Sequence, residues 1–202
     1  MKTQLLAIAG VSGSGKTCLA RYLAEHSSAL SQGSVCVIAQ DNYYHDYSAR
    51  SDADRARINF DHPHSFDVHE LLSDLTALKS NRTVAIPQYD YVNHKRKSER
   101  SQQKPVDLII LEGILALHWS QLRALTDCSV YLNTPLSICL ERRLLRDTSE
   151  RGRTRDSVMT QYRQHVLPMY EAYISEQAQW ADILVADGGA NPVVLKQIRE
   201  RL

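Results

Sequence analysis

Residues 10–17 combine glycines, a lysine and a threonine at a spacing that suits phosphate binding. The segment is Gly10-Val11-Ser12-Gly13-Ser14-Gly15-Lys16-Thr17, and it matches the Gly-x-x-x-x-Gly-Lys-Ser/Thr phosphate-binding loop. Its glycines let the backbone curl with N–H groups facing a phosphate, and Ser12 and Ser14 lie within the same loop. Lys16 is expected to reach the β- and γ-phosphates, and the Thr17 hydroxyl to bind Mg²⁺. The segment predicts a nucleoside triphosphate site.

A second metal-binding group is expected at the end of another strand. Residues 106–111 are apolar apart from Asp107, and Glu112 follows them directly. In phosphate-loop proteins, the strand beside the loop ends in an acid that holds Mg²⁺, usually through water. Glu112 is better placed for this than Asp107, which opens the strand at its far end. The alternative is a solvent-exposed glutamate at a strand terminus.

Arginines are concentrated in residues 142–155, and some of them suit an anion site. The segment contains Arg142, Arg143, Arg146, Arg151, Arg153 and Arg155. So many guanidinium groups would repel each other unless anions lie among them. A solvated face, with Glu141, Asp147, Glu150 and Asp156 as partners, is the expectation for Arg142 and Arg155. Arg146, Arg151 and Arg153 flank the hinge candidate Gly152 and suit a lid that neutralises charge on a transferring phosphoryl group.

The region after the second predicted strand is acidic, which indicates an uncharged acceptor with hydroxyl groups. Carboxylates repel a phosphate but accept hydrogen bonds from sugar hydroxyls. Asp41 lies just past that strand, where a general base facing the γ-phosphate is expected, although it could instead cap a turn. Among the acidic and histidine side chains that this region offers are Asp41, Asp46, Asp61, His62, His64 and Asp67.

Aromatic residues in the next polar region could form a nucleobase pocket. Residues 83–86 and 89–92 are expected to pair as a short hairpin around Pro87. Tyr89, Tyr91 and His94 would then offer two aromatic faces and a polar edge. The alternative for these tyrosines is the half-buried face of an ordinary hairpin.

Strand-like and helix-like segments alternate along the chain, which predicts a parallel sheet covered on both faces. The fold class is therefore α/β, a three-layer phosphate-loop fold with a hairpin insert and an arginine-rich lid. Pro135 suits a helix start, with Thr134 as its cap. The predicted strands are 4–9, 34–39, 107–111, 128–132 and 182–186. The predicted helices are 15–30, 67–80, 119–126, 135–146, 156–175 and 191–202.

Composition favours a single domain over residues 1–202, with an acceptor-binding insert at about 41–104 and a lid at about 147–155. The hydrophobic and charged fractions, 43% and 23%, are those of an ordinary globular protein. The net charge of +1 gives no reason to expect nucleic acid or membrane partners. No secretory signal or membrane-spanning run is evident, and four scattered cysteines suit a reduced, cytoplasmic protein.

Several segments together resemble the uridine (uridine–cytidine) kinases, a family of phosphate-loop kinases, over nearly the whole chain. The resemblance is carried by Gln40-Asp41-Asn42-Tyr43-Tyr44, Asn59-Phe60-Asp61-His62-Pro63, residues 87–94, Leu111-Glu112-Gly113-Ile114-Leu115 and residues 142–153. It implies phosphorylation of the 5′-hydroxyl of uridine or cytidine by ATP or GTP with Mg²⁺. It also implies a homo-oligomer, a tetramer in this family.

The resemblance also implies roles for individual residues. Asp41 corresponds to the catalytic base, Asp61 and Arg143 to ribose contacts, and Gln161 to a further contact near the nucleoside. The base pocket would comprise Tyr89, Tyr91 and His94, with Tyr44 near the acceptor. The triphosphate and lid contacts would be Arg146, Arg151 and Arg153.

One segment departs from the family pattern, and two other functions stay open. Ala186-Asp187-Gly188 stands where the family usually has Pro-Arg-Gly, which leaves donor choice and donor affinity undetermined. The chain could be a related kinase acting on a phosphorylated sugar or on pantothenate. It could also be a nucleotide-dependent regulator without transfer activity, although that would not explain an aromatic pocket.

Overall fold

A parallel sheet of five strands forms the centre of the molecule, and a separate hairpin stands beside it. The computed structural model describes residues 3–30, 33–55, 57–186, 190 and 192–202. The strands are β1 (Gln4–Gly10), β2 (Val35–Ala39), β3 (Val84–Asp90), β4 (Lys95–Gln103), β5 (Leu108–Glu112), β6 (Cys128–Leu132) and β7 (Ile183–Val185). The helices are α1 (Lys16–Glu25), α2 (Asp52–Arg55), α3 (Val68–Lys79), α4 (Ser120–Leu125), α5 (Leu136–Ser149), α6 (Arg155–Gln161), α7 (Leu167–Met169) and α8 (Pro192–Arg199).

The strand order places the phosphate loop at the middle of the sheet. The order is β2-β5-β1-β6-β7, and every neighbouring pair is parallel. Glu112 at the end of β5 lies level with Ile8 of β1 and with Ala39 of β2. The carboxyl ends of β1, β2 and β5 therefore meet at one edge, where α/β sheets bind ligands. This architecture confirms the predicted α/β fold with a parallel sheet.

The side chains of β1 alternate between the two faces of the sheet, and each face carries its own part of the core. Leu5, Ala7 and Ala9 pack on one face with the apolar side of α3, whereas Leu6 and Ile8 pack on the other with α1 and α8. Because side chains in a strand alternate between faces, a continuous apolar strand is expected when helices cover both. Leu71, Leu75 and Leu78 of α3 belong to the first cluster, and Leu72 packs against it.

The predicted pairing of the hairpin is wrong. Residues 84–90 form one strand, and the partner strand is 95–103 rather than 89–92. Pro87 lies inside β3 beside a shift in register, a position that tolerates a missing N–H. The chain turns at 91–94, where the Asp90 carboxylate accepts hydrogen bonds from the N–H groups of Val92 and Asn93. β4 was missed because its nine residues are almost all polar and exposed.

Two helix predictions also need correction. The predicted 156–175 helix is α-helical only at α6 and α7, and π-helical turns occupy Tyr162–Val166 and Tyr170–Ile174. Pro168 explains the first of these turns, since it cannot donate a helical hydrogen bond and crowds the turn that precedes it. Thr134 does not cap α5, because its hydroxyl donates to the Ser14 carbonyl oxygen at 3.0 Å.

α5 extends beyond the predicted 135–146 helix into the predicted lid. It ends at Ser149, so only residues 150–154 connect it to α6. Two positions depart from the family pattern, Ala186 and Asp187, and Asp187 lies outside the described residues. Across the described residues, no helix combines the length and apolar composition that crossing a membrane would need.

Candidate active site

The phosphate loop connects β1 to α1 and curls in a way that only small residues permit. Gly10 and Gly13 have φ angles of 144° and 87°. A Cβ on Gly10 would lie 2.8 Å from the Leu132 carbonyl oxygen, and one on Gly13 would overlap the Cys139 carbonyl. Larger residues at these two positions would therefore push the loop away from β6 and α5. Gly15 precedes the first residue of α1, so the loop opens directly onto a helix N-terminus.

Lys16 and Ser14 supply donors inside this loop. The Lys16 side chain is buried, and its Nζ donates to the Val11 carbonyl oxygen at 3.0 Å. Burial lowers the pKa of Lys16, while the nearby carboxylates of Glu112 and Asp41 oppose that shift. The Ser14 hydroxyl is buried and has no hydrogen-bond partner within the described part of the chain. Both groups are therefore available to an anion held by the loop.

Thr17 and Glu112 form an oxygen pair beside the loop. The Thr17 hydroxyl donates to Glu112 Oε1 at 3.0 Å. The oxygens of a hydroxyl and a carboxylate are suitable ligands for Mg²⁺, which keeps several of its waters and binds few protein groups. Among the described residues, no cluster of three or more His, Cys, Asp and Glu side chains could hold a metal ion. The pair fits a magnesium ion shared with phosphates better than a metal enclosed by protein.

Asp41 follows β2 within a short 3₁₀ turn, Gln40–Tyr43. Burial raises the pKa of Asp41 to about 6, and repulsion from Glu112 adds to this, while Lys16 and Arg151 oppose it. The Tyr44 N–H donates to the Asp41 carbonyl oxygen at 3.4 Å, so a backbone group rather than the Asp41 carboxyl closes this turn. A carboxyl group with a pKa near 6 suits general base catalysis at neutral pH.

The insert supplies an aromatic wall. The Phe60 ring stacks on the His94 imidazole, with ring centroids 4.7 Å apart, and meets Tyr44 edge-on at 5.1 Å. Tyr89 is buried and its ring lies 5.6 Å from that of Tyr91, which is more exposed. Phe60 had no predicted role, although an aromatic residue between Asn59 and Asp61 was a signal in the sequence. The wall can contact both faces of a small planar ring.

His94 and Asp61 supply polar groups beside this wall. Burial lowers the pKa of His94, and the positive charges of Arg153 and Arg151 lower it further, so its imidazole is neutral at pH 7. Asp61 is only 5% exposed, and burial raises its pKa, an effect that Arg143 chiefly opposes. A neutral imidazole and a carboxylate suit a neutral base and a sugar hydroxyl respectively.

Arginines from α5 and the following segment enclose the remaining side. Arg143 donates to Gln161 Oε1 at 2.9 Å, and Arg153 donates to the same oxygen. The Arg151 guanidinium lies over the Tyr91 ring, 5.4 Å from its centroid. We call Arg143, Arg146, Arg151 and Arg153 the arginine cluster. Arg142 and Arg155 are exposed, as predicted, and do not line the pocket.

Asp147 is not the solvated partner that the sequence suggested. Its side chain is completely buried beneath the arginine cluster. Gln40, also completely buried, accepts a hydrogen bond from the Leu115 N–H at 2.9 Å and so connects the turn of Asp41 to the segment after Glu112. Neither burial is evident from sequence, since both depend on packing between distant elements.

One pocket collects most of the predicted residues, whose roles stay predictions. Ile114 and Phe60 are additions that sequence reasoning missed. Lys16 and Glu112 do not line the pocket but are close enough to Asp41 to shift its pKa, and Thr17 bonds Glu112. The predicted residues that line it are Ser12, Asp41, Tyr44, Asp61, Tyr89, Tyr91, His94, Arg143, Arg146, Arg151, Arg153 and Gln161.

Known proteins similar to this chain are consistent with this geometry. The family model described as "Phosphoribulokinase / Uridine kinase family" matches residues 5–194. A uridine kinase of Aeromonas hydrophila is 43% identical over 199 residues, which covers 98% of this chain and 93% of the relative. A uridine kinase of Listeria monocytogenes is 44% identical over 194 residues, covering 96% and 91%.

Solved structures support the fold alone. A candidate fructose transport system kinase from a Silicibacter species has a TM-score of 0.73 at 22% identity, and the match covers 91% of this chain and 89% of that one. The family model and the two sequence relatives, by contrast, span almost the full length of the chain. The chain therefore belongs to the phosphoribulokinase/uridine kinase family.

Proposed function

We propose that this protein transfers the γ-phosphoryl group of ATP or GTP to the 5′-hydroxyl of uridine and cytidine, giving UMP and CMP for pyrimidine salvage. The observation that carries the proposal is Asp41, a carboxyl group with a pKa of about 6 in the pocket that also contains Asp61 and His94. The two relatives named uridine kinase, each more than 40% identical to this chain, support the choice of acceptor.

The donor triphosphate would bind along the phosphate loop. The loop N–H groups and Lys16 would hold its phosphates, and Thr17 and Glu112 would hold Mg²⁺, directly and through water respectively. When bound, Mg²⁺ would neutralise charge on the β- and γ-phosphates. Lys16 is already close to Asp41, as the electrostatic influence of each group on the pKa of the other indicates. Donor and base would therefore meet at the same end of the sheet.

Asp41 would accept the proton of the 5′-hydroxyl as its oxygen attacks the γ-phosphorus. Above a pH of about 6 the carboxylate is ionised, and a base with a pKa near the working pH is the most effective. Negative charge on the transferring group would be stabilised by Lys16 and by three members of the arginine cluster, Arg146, Arg151 and Arg153. Positioning of the two substrates would supply much of the rate enhancement.

The nucleoside would lie against the aromatic wall with its ribose toward Asp61. Asp61 and Arg143 would bind the 2′- and 3′-hydroxyl groups, and Gln161, which bonds Arg143, would support them. Phe60, Tyr89 and Tyr91 would pack on the pyrimidine. Neutral His94 could donate to the carbonyl of uracil or accept from the amine of cytosine, which explains acceptance of both bases. Tyr44 would close the pocket near the acceptor.

The wider setting of the enzyme follows from the same proposal. Its partners would be small molecules, a nucleoside and a nucleoside triphosphate, rather than nucleic acid or membrane. It would act in the cytoplasm as a homotetramer, as its family resemblance implies. Light scattering coupled to size-exclusion chromatography tests the tetramer, and a mass near that of one 22.9 kDa chain would contradict it.

ADP release stimulated by an acceptor separates this function from the alternatives. Uridine and cytidine should each stimulate the release of ADP when ATP is the donor, whereas a sugar phosphate and pantothenate should not. A nucleotide-dependent regulator would give no stimulation with any of them. Stimulation by a sugar phosphate alone would move the assignment to another kinase of the family, and the buried Asp61 argues against such an acceptor because it would repel a phosphate.

A further inference from the structure

Asp147 is surrounded by the arginine cluster. Arg146 donates to its Oδ1 at 2.9 Å, and Arg151 lies 3.5 Å from the same oxygen. Arg143 and Arg153 lie 3.7 Å and 3.8 Å from its Oδ2. Two of these arginines belong to α5, and two follow it in the connecting segment. One carboxylate is therefore the common counterion of groups from two parts of the chain.

Asp147 lies behind the pocket rather than in it. All members of the arginine cluster line the pocket, but Asp147 does not, and its side chain has no exposed surface. It cannot contact a substrate without displacing the arginines that cover it. Its backbone also closes the connecting segment, because the Arg153 N–H donates to the Asp147 carbonyl oxygen at 3.1 Å. The residue is placed to act through the arginines.

The charge balance explains why a buried carboxylate is needed here. Four guanidinium groups carry four positive charges within a few ångströms, and their mutual repulsion favours separation into solvent. Asp147 offsets part of this repulsion, since the four guanidinium groups share it as their counterion. Its Oδ2 makes no hydrogen bond among the described residues, so charge rather than directed bonding holds Arg143 and Arg153.

We propose that Asp147 is a positioning residue that holds the four arginines of the cluster in place, Arg146, Arg151 and Arg153 for the transferring phosphoryl group and Arg143 for the ribose. This rests on the proposed kinase function. A neutral residue at 147 would let the arginines separate before phosphate arrives. The arginines would no longer be preorganised, so turnover would fall. The attraction for the triphosphate would not fall, because the pocket becomes more positive.

Asp147→Asn tests this, with Asp156→Asn as the matched control, since Asp156 is an exposed acid of the next helix. Asp147→Asn should lower kcat roughly 10- to 100-fold and leave the KM for ATP unchanged or lower. Asp156→Asn should resemble the wild type. An unchanged kcat, or a KM that rises as much as kcat falls, would overturn the proposal.

A double-mutant cycle shows whether Asp147 acts through the cluster. Arg153→Ala should lower kcat by a clearly smaller factor in the Asp147→Asn background than in the wild type, because Arg153 is already displaced in that background. Equal costs in both backgrounds would mean that Asp147 does not work through Arg153, and would overturn that part of the proposal. If Asp147→Asn does not fold, Asp147→Glu keeps the charge but displaces it. Its kcat should fall at least fivefold with the KM for ATP unchanged, and wild-type kcat would contradict the proposal.

Binding of inorganic tripolyphosphate, measured by calorimetry, separates this proposal from the proposed function. The Asp147→Asn protein should bind it at least as tightly as the wild type, with a steeper dependence on salt. Weaker binding would overturn the positioning role even in a protein that phosphorylates uridine. If the wild type phosphorylates no nucleoside, the proposed function fails, and this binding comparison still decides how Asp147 affects the cluster.

Discussion

Phe60 stacks on His94 with their planes inclined by only 18°. The stacking fixes the orientation of the imidazole ring, and burial together with Arg153 and Arg151 keeps the ring neutral. His94→Leu should lower kcat/KM for uridine and cytidine about 10- to 100-fold, because a polar edge of the base loses its partner. His69→Leu, on the exposed face of α3, is the control. Unchanged kcat/KM for both pyrimidines in the His94 variant would remove this residue from the base pocket.

Asp61 should distinguish ribose from deoxyribose. A hydroxyl bonded to a buried carboxylate is a charge-assisted contact worth roughly 1.5–3 kcal/mol. Deoxyuridine should therefore have a kcat/KM about 10- to 200-fold below that of uridine. Asp61→Asn should narrow this ratio. Equal kcat/KM values for the two nucleosides in the wild type would assign Asp61 another role.

The arginine cluster should act on the transition state more than on ATP binding. Arg153→Ala should lower kcat more than it raises the KM for ATP. Arg155→Ala, two residues further and exposed, should leave both values nearly unchanged. If Arg153→Ala changes only the KM, Arg153 contributes to ground-state binding instead.

The sequence predicted features that depend on local spacing, and it missed features that depend on distant packing. The phosphate loop, Asp41 and Glu112 follow from strand ends that a parallel sheet brings together. Within the described residues, β4 pairs with β3 alone, and its Arg96 and Arg100 bind Glu70 of α3, so it needs no apolar alternation. The burial of Asp147 arises because residues 150–154 fold back on α5, and no sequence period encodes this.

Asp41 should lower stability at the pH where it functions. Its folded-state pKa of about 6 lies above the 3.8 of an exposed aspartate, so protonation stabilises the fold. That stabilisation is complete below about pH 3.8 and is lost as pH rises through 6. Asp41→Asn should raise the free energy of unfolding by roughly 1–3 kcal/mol at pH 8 and hardly at all at pH 3.5. Denaturant unfolding at both pH values measures this, and an equal effect at both would contradict the raised pKa.

The same pKa predicts the acid side of the rate profile. The kcat/KM for uridine, which reports the free enzyme, should rise about tenfold per pH unit below 6 and level off above it, because only the ionised base accepts the proton. A rate profile that stays flat from pH 5 to pH 7 would mean that proton transfer to Asp41 does not limit the reaction.

The most direct test of the central claim compares the wild type with Asp41→Asn in the formation of 5′-monophosphates from ATP. Uridine, cytidine, adenosine and guanosine are supplied at equal concentrations. The wild type should convert both pyrimidine nucleosides and neither purine nucleoside, since the aromatic wall sets the size of the base. Asp41→Asn should lose about 10²- to 10⁴-fold in turnover with little change in uridine affinity. Efficient conversion of adenosine, or near-normal turnover by Asp41→Asn, would contradict the account.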